Sequence, residues 1–266
     1  MSGRRGSTMA IVQARMSSTR LPGKVLLPLA GKPMIVRELE RIARAARIDR
    51  VVVATSTDSS DDEIASVVEA AGFDVIRGAL DDVLDRFTDA IEIHQPDVVV
   101  RITADCPLIS PAVIDQVIEQ FHESDADYVS NTMDPTFPDG LDVEVVSAEV
   151  LTTVAQSSTD PHEREHVTLG VYRRVGEFTI ENVKESAGRD LSHLRWTVDT
   201  EDDYRFVERI YSALSSDDPA FDYEQILQFL DRNQEVGRTE ADSARNAALD
   251  GLDTGAMRHR RQDSES

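Results

Sequence analysis

Short aliphatic runs alternate along the chain with longer stretches whose apolar positions recur every three or four residues. Met9–Val12, Val51–Ala54, Phe73–Ile76, Val98–Ile102, Tyr128–Ser130 and Val143–Ser147 read as strands. Between them, Met34–Ala46 sets Ile35, Leu39 and Ile42 on one helical face. Asp61–Ala71 reads as a helix with acids in its first turn, where the helix dipole favours them. Asp81–His94 and Pro111–Phe121 follow as helices, the latter with a proline near its start. Tyr204–Ser215 and Tyr223–Asn233 predict terminal helices. Strands alternating with helices of this length predict an α/β fold, a mainly parallel sheet with helices on both faces. Ligands of such sheets sit beyond the carboxyl ends of the strands, which is where the polar motifs of this chain fall.

This pattern divides the chain. Residues 1–8 read as an N-terminal extension and 9–233 as one domain. Within that domain, a less regular stretch of about 131–195 is expected to form an arm or a dimer contact. Residues 234–266 are polar, poor in large apolar side chains and expected to be mobile. At 266 residues and 40% hydrophobic, the chain can bury a substantial core. The single Cys106 rules out an internal disulfide framework and a multi-thiolate zinc site. No secretory leader or 18-residue apolar run is seen, so a soluble, cytoplasmic protein is expected.

Charge sharpens the picture. The formal net charge is −22, and lysine occurs only at Lys24, Lys32 and Lys184, so every other base is arginine. Such an acidic surface disfavours nucleic acid and anionic membrane as partners. It reads as a solvated face, and beyond that as adaptation to a salt-rich cytosol in which screening removes self-repulsion.

Against that background, Gln13-Ala14-Arg15-Met16-Ser17-Ser18-Thr19-Arg20-Leu21-Pro22-Gly23-Lys24 stands out. It follows the first strand and sets Arg15, Arg20 and Lys24 among small residues. A triphosphate needs such cations, free backbone N–H groups and side chains that permit close approach. A basic surface loop paired with neighbouring acids is the plainer reading. The Walker A spacing is absent.

A second motif, Arg101-Ile102-Thr103-Ala104-Asp105-Cys106-Pro107, places Asp105 at the end of a buried strand. There it either forms a turn or holds Mg²⁺ against phosphate oxygens. Cys106 reads as a packed residue rather than a nucleophile. In Arg195-Trp196-Thr197-Val198-Asp199-Thr200, Thr200 predicts a helix cap with Glu201, Asp202 and Asp203 in the first turn, and Asp199 is the candidate second metal ligand. Phe137–Glu144 is a Pro/Gly turn that could also orient a sugar. His162-Glu163-Arg164-Glu165-His166 carries two histidines four apart, as in part of a zinc site. The favoured roles there are an arginine for a substrate carboxylate or a dimer contact.

Taken in order, these motifs, together with Arg77-Gly78, Asp82-Val83-Leu84-Asp85-Arg86, Asp139–Glu144 and Arg164-Glu165-His166-Val167-Thr168, resemble one family across about residues 9–230. It is the cytidylyltransferase family that contains the spore coat polysaccharide biosynthesis proteins and the CMP-sialic acid and CMP-KDO synthetases. The resemblance implies a Rossmann-like nucleotide-diphospho-sugar transferase fold, usually dimeric, that uses CTP and Mg²⁺. By it, Arg15 and Lys24 bind triphosphate, with Ala14, Ser18 and Arg20 shaping the loop. Arg77 and Thr103 lie near the nucleoside. Asp105 and Asp199 hold the metal, and Asp142, Arg164 and His166 face the sugar acid or the dimer partner. The implied reaction is attack of the sugar's anomeric hydroxyl on the α-phosphorus, with pyrophosphate leaving.

Two positions depart from the pattern. Thr197 stands where sialic acid enzymes often place a second acid, and Thr168–Tyr172 lacks their Pro-Tyr continuation. A nucleotide-sugar-dependent glycosyltransferase of similar fold is the alternative, although Thr103–Asp105 supplies no Asp-x-Asp motif. A non-catalytic nucleotide-binding subunit is a further alternative, against which the intact Arg15, Lys24, Asp105 and Asp199 argue.

Overall fold

The structure is a computed structural model that describes residues 6–174, 176–215 and 220–236. In chain order it runs β1 (Thr8–Gln13), β2 (Pro28–Leu29), β3 (Lys32–Pro33), α1 (Met34–Ile42), β4 (Arg50–Ser56), α2 (Asp62–Ala70) and β5 (Asp74–Gly78). It continues with α3 (Val83–His94), β6 (Val98–Thr103), α4 (Pro111–Glu123), β7 (Tyr128–Ser130), β8 (Glu144–Ser147) and α5 (Ala148–Ser157). The last elements are α6 (Pro161–Glu165), α7 (Leu169–Tyr172), β9 (Ile180–Asn182), α8 (Glu201–Leu214) and α9 (Tyr223–Arg232).

Alternation of side chains along each strand splits the core into two layers. In β1, Ala10 and Val12 face one layer, with α1, α2, α4, α8 and α9, while Met9 and Ile11 face the other, with α3, α5 and α7. The central strands β4 and β6 repeat this two-sided burial, as expected of strands covered on both faces. The sheet order is β5-β4-β1-β6-β8-β7-β9. The first four strands are parallel, β8 runs antiparallel to β6 and β7, and β9 is parallel to β7. The carboxyl ends of β4, β1 and β6 thereby share one edge.

Several expected boundaries move. The stretch 1–8 is not wholly an extension. Thr8 belongs to β1, and Ser7 donates its N–H to Asp97 Oδ2 at 2.6 Å while its carbonyl accepts from Asp97 and Val98. The helix expected over Met34–Ala46 ends at Ile42. The amides of Ala46 and Arg47 turn instead to the Asp115 carboxylate, at 2.9 and 2.8 Å. The stretch 131–195, expected to form an arm or a dimer contact, also contributes to the sheet: β8 lies between β6 and β7, and Val145, Val146, Leu151 and Val167 are fully buried. Helix α5 was not foreseen, although Ser147 caps it by accepting from Val150 N–H. The cap expected at Thr200 is present, reciprocated by Asp203. Of the tail, Gln234–Val236 forms a short 3-10 turn, and the expectation for 237–266 lies outside the described residues.

Candidate active site

Backbone pairing across the ends of the central strands builds the site. Ala14 N–H donates to Ala54 O at the end of β4, and Ala104 N–H to Gln13 O, so the loop after β1 is anchored on both sides. Its next amide, on Met16, donates to Oδ1 of the fully buried Asp61 at 2.7 Å. Gly23 closes the loop with its N–H on Met16 O, at φ 71°, in the left-handed region glycine tolerates. Lys24 follows at the head of a 3-10 turn, with its side chain directed inward.

Lys24 Nζ is the centre of the arrangement. It donates to Val198 O at 2.7 Å, Asp199 Oδ1 at 2.9 Å and Asp105 Oδ2 at 3.1 Å. Burial by itself would lower the pKa of this amine, but Asp105 and Asp199 more than offset it and the net shift is upward. Asp105 is oriented by Thr103, whose Oγ1 donates to Asp105 Oδ1 at 2.7 Å. Burial alone would raise the Asp199 pKa. Lys24, Arg195 and Arg20 (3.1 Å) reverse that and hold its carboxyl below the ordinary range.

The segment bearing Asp199 is brought alongside Asp105 by Val198 N–H donating to Asp105 O. It is also held through Asp139, which pairs with Arg195 Nη1 at 3.0 Å and whose carbonyl accepts Trp196 N–H. Gly140 permits that approach. It sits at φ 106°, and a Cβ there would lie 2.9 Å from Thr197 N and Trp196 C. The cavity over these groups measures about 520 Å³, within the range of small-molecule sites.

Arg15, Ser18, Arg20, Lys24, Ala14, Thr103, Asp105, Asp142, His166 and Asp199 all line it, so most of the residues singled out in the sequence converge. Arg15, at the mouth, is 3.7 Å from Glu165. Two residues are placed elsewhere. Arg77 donates to Ser56 O at 2.8 Å and to Asp62 at 2.6 Å, bracing the β4–α2 loop rather than facing a nucleoside. Arg164 ties α6 to α3 through Asp82 at 2.5 Å and donates to Ala155 O and Ser158 O. It does not line the cavity.

The run His162–His166 does match His-Glu-x-x-His letter for letter, so its spacing alone leaves zinc open. In the structure α6 ends at Glu165, Glu163 is engaged by Ser158 and Arg173, and among the described residues no three His, Cys, Asp or Glu converge to hold a metal. His166 alone reaches the cavity. Burial, with Arg101, His162 and Arg15 nearby, lowers its pKa against the opposing Glu165, so the imidazole is neutral at pH 7. It is presented by Val167, a β-branched residue at φ 42°, whose neighbour Thr168 is pinned to Glu144 at 2.6 Å. Cys106 is buried beside Asp105, its thiol pushed up by burial, and is inert as a nucleophile.

Six charged residues of the sequence motifs line the cavity without an expected role of their own: Arg86, Arg101, Asp139, Glu144, Glu165 and Arg195. Arg101 pairs with Glu144 and donates to Gln13 Oε1 at 2.9 Å, while Glu144 also accepts from Tyr128 Oη. A charge set within an apolar strand, as Arg101 is in β6, was the available signal. For Arg195 the signal was its four-residue separation from Asp199.

An α/β sheet with a cationic loop after its first strand, facing two carboxylates across one cavity, defines a nucleotidyltransferase. The cytidylyltransferase family model matches residues 9–244, and the chain belongs to that family. It is 32% identical to the spore coat polysaccharide biosynthesis protein SpsF of Bacillus subtilis, over 87% of this chain and 98% of that one. It is 41% identical to the 3-deoxy-manno-octulosonate cytidylyltransferase of Trichlorobacter lovleyi over 115 residues, 42% of this chain and 44% of that protein. Among solved structures, a cytidylyltransferase from Leptospira borgpetersenii superposes with a TM-score of 0.82 at 28% identity, covering 90% of this chain and 99% of that one.

Proposed function

We propose that the enzyme transfers CMP from CTP to the anomeric hydroxyl of a sugar acid and releases pyrophosphate, in the biosynthesis of a surface polysaccharide or glycan. The observation that supports this most is the convergence of Asp105 and Asp199 on Lys24 Nζ beneath the Arg15–Arg20 loop. It sets three cations of an acidic chain where a triphosphate would lie. The sugar acid is suggested by the partial likeness to the 3-deoxy-manno-octulosonate enzyme, and the polysaccharide role by the likeness to SpsF.

The residues fit a magnesium ion. Two carboxylates already converge on a single positive centre, and Mg²⁺ takes one or two protein carboxylates and fills its remaining positions with water and phosphate oxygens. Asp105 and Asp199 would hold it, and it would neutralise charge developing on the phosphate oxygens. The chain itself does the positioning. Lys24, Arg15 and Arg20 fix the phosphates in line and stabilise the leaving pyrophosphate electrostatically. Asp142 and His166 lie on the β6–β8 flank, where an acceptor would approach. There the acceptor oxygen forms the bond to the α-phosphorus as the bond to the β-phosphate oxygen breaks, and neutral His166 can take the hydroxyl proton.

The test is pyrophosphate release from CTP with Mg²⁺ and a panel of 2-keto sugar acids. Release with CTP and one such acid, abolished by chelator, is expected. No release with any sugar acid would favour the glycosyltransferase reading, and equal release from UTP or ATP would overturn the base assignment.

A further inference from the structure

Helix α3 buries Val83, Leu84, Phe87 and Ala90 against the sheet, and Arg86 lies on the same face, only 2% exposed. A guanidinium there must find acceptors or lose the free energy of several unmade hydrogen bonds. Its Nε and Nη1 find none. Asp61, the carboxylate whose charge acts on it most strongly, is already committed: Oδ1 accepts from Met16 N–H, and Oδ2 from Ser56 N–H and Oγ. Asp61 therefore offsets part of the charge from a distance without bonding to it. The stem of Arg86 passes over Gly78, where a Cβ would come within 2.8 Å of Arg86 Cγ, so a side chain at that position would displace it.

Arg86 lines the cavity, on the flank of β4 and β5. The phosphate loop occupies the middle, after β1, and Asp142 and His166 lie on the β6–β8 side. A nucleotide whose α-phosphate sits beside Lys24, with its acceptor toward His166, must extend its nucleoside toward Arg86 and Val83. We infer that Arg86 reads the base, donating to O2 and N3 of cytosine, and so selects cytidine over uridine nucleotides. The inference rests on the cytidylyltransferase reading and deepens it. Cytosine presents acceptors at both positions, whereas uracil carries a donor at N3 that faces a group with no acceptor. Val83, the apolar neighbour on the cavity wall, offers the ring a non-polar surface.

The test is equilibrium binding by calorimetry of CMP, UMP, 3-deaza-CMP and inorganic pyrophosphate to wild type, Arg86→Lys and Arg86→Met. Wild type is expected to prefer CMP over UMP, and over 3-deaza-CMP, by ~10- to 100-fold, the scale of one or two charged hydrogen bonds. Both variants are expected to bring the CMP:UMP ratio within ~3-fold of unity and to leave pyrophosphate affinity within ~3-fold of wild type. A preference retained in Arg86→Lys would show that the residue only balances Asp61 and would overturn the inference. Equal weakening of CMP and pyrophosphate would make it a phosphate contact instead. Should the variants fail to fold, wild type binding 3-deaza-CMP as tightly as CMP overturns the inference on its own. A wild type that binds pyrophosphate but neither cytidine nor uridine nucleotide would sink the nucleotide reading itself, a distinguishable failure.

Discussion

Replacing Lys24 by alanine separates the catalytic from the structural work of one ammonium. In the folded chain Nζ lies 2.9 and 3.1 Å from two carboxylates, and the Lys24 side chain is only 11% exposed. With an effective dielectric of ~20, each gross attraction is roughly 5 kcal/mol, but desolvation of the ammonium offsets most of it. Removal leaves Asp199 with Arg20 and Arg195, and leaves Asp105 with the Thr103 hydroxyl. Both carboxylates keep some water access, at 26% and 17% exposure. The loss is therefore below that for breaking a sealed pair, about 1–3 kcal/mol, or roughly 2–10 °C in melting temperature.

Catalysis is far more sensitive, because the same charge stabilises phosphate oxygens. kcat/KM for CTP should fall by at least ~10²-fold. Lys24→Arg keeps the charge but cannot set a point donor on Asp105, Asp199 and Val198 O together, so it should rescue stability more than activity. The pH dependence of this cluster follows from two shifts. The Lys24 pKa is raised above 10.5, so its contribution is lost only as pH climbs through that raised value. The Asp199 pKa is depressed below 3.8, so its contribution is present above 3.8 and lost as pH falls through the depressed value. The wild-type to Lys24→Ala stability difference should then be flat from about pH 5 to 9. The assays are pyrophosphate release and urea melts across that range. Activity within ~3-fold of wild type, or a stability difference that bends at neutral pH, would refute the reasoning.

Other perturbations probe separate parts of the site. Asp105→Asn should lower kcat by at least ~10²-fold with little change in melting temperature, and near-normal turnover would remove Asp105 from the catalytic set. Gly140→Ala meets the backbone of Trp196 and Thr197 at φ 106°, and should cost about 2–4 kcal/mol in urea denaturation; a change under ~0.5 would show the loop re-forms freely. The His166 pKa is depressed below 6.5, so the unfolded chain binds its proton first and stability drops as pH falls from 6.5 toward the folded value. His166→Gln should lose less stability than wild type between pH 8 and 5, and parallel curves would contradict the burial. Given a net charge of −22, the melting temperature should rise from low salt to molar KCl, and a flat curve would dismiss the salt-adapted surface.

The two-layer core was legible because β1, β4 and β6 are buried on both faces, so each carries an unbroken aliphatic run: Met9–Val12, Val51–Ala54 and Val98–Val100. Residues 131–195 were less so. β8 is legible as a strand over Val143–Ser147, but β9 has three residues and α7 four, too short for periodicity to register, and their burial depends on partners distant in sequence. Tyr128 pairs with both Val146 and Ile180, contacts that no local window contains. The end of α1 was misplaced for a similar reason, since its competitor for the Ala46 and Arg47 amides is Asp115, on another helix.

The site divides along the same line. Its phosphate half is a contiguous loop after one strand, so Arg15, Arg20 and Lys24 could be read from chemistry in a single stretch. Its remaining charges act only once the sheet assembles. Arg195 gains meaning from Asp139, fifty-six residues away, and Arg101 from Glu144 on the antiparallel strand β8. Arg77 misled because a cation beside a glycine in a matching motif resembles a ligand group, whereas its Nε and Nη2 are engaged by Asp62 and two carbonyls. Arg86, nine residues further on, shows the opposite: it is buried among apolar neighbours and keeps donors unspent. For a chain in which arginine supplies nearly every positive charge, a satisfied arginine is evidence of structure. A buried one with unspent donors is evidence of a ligand.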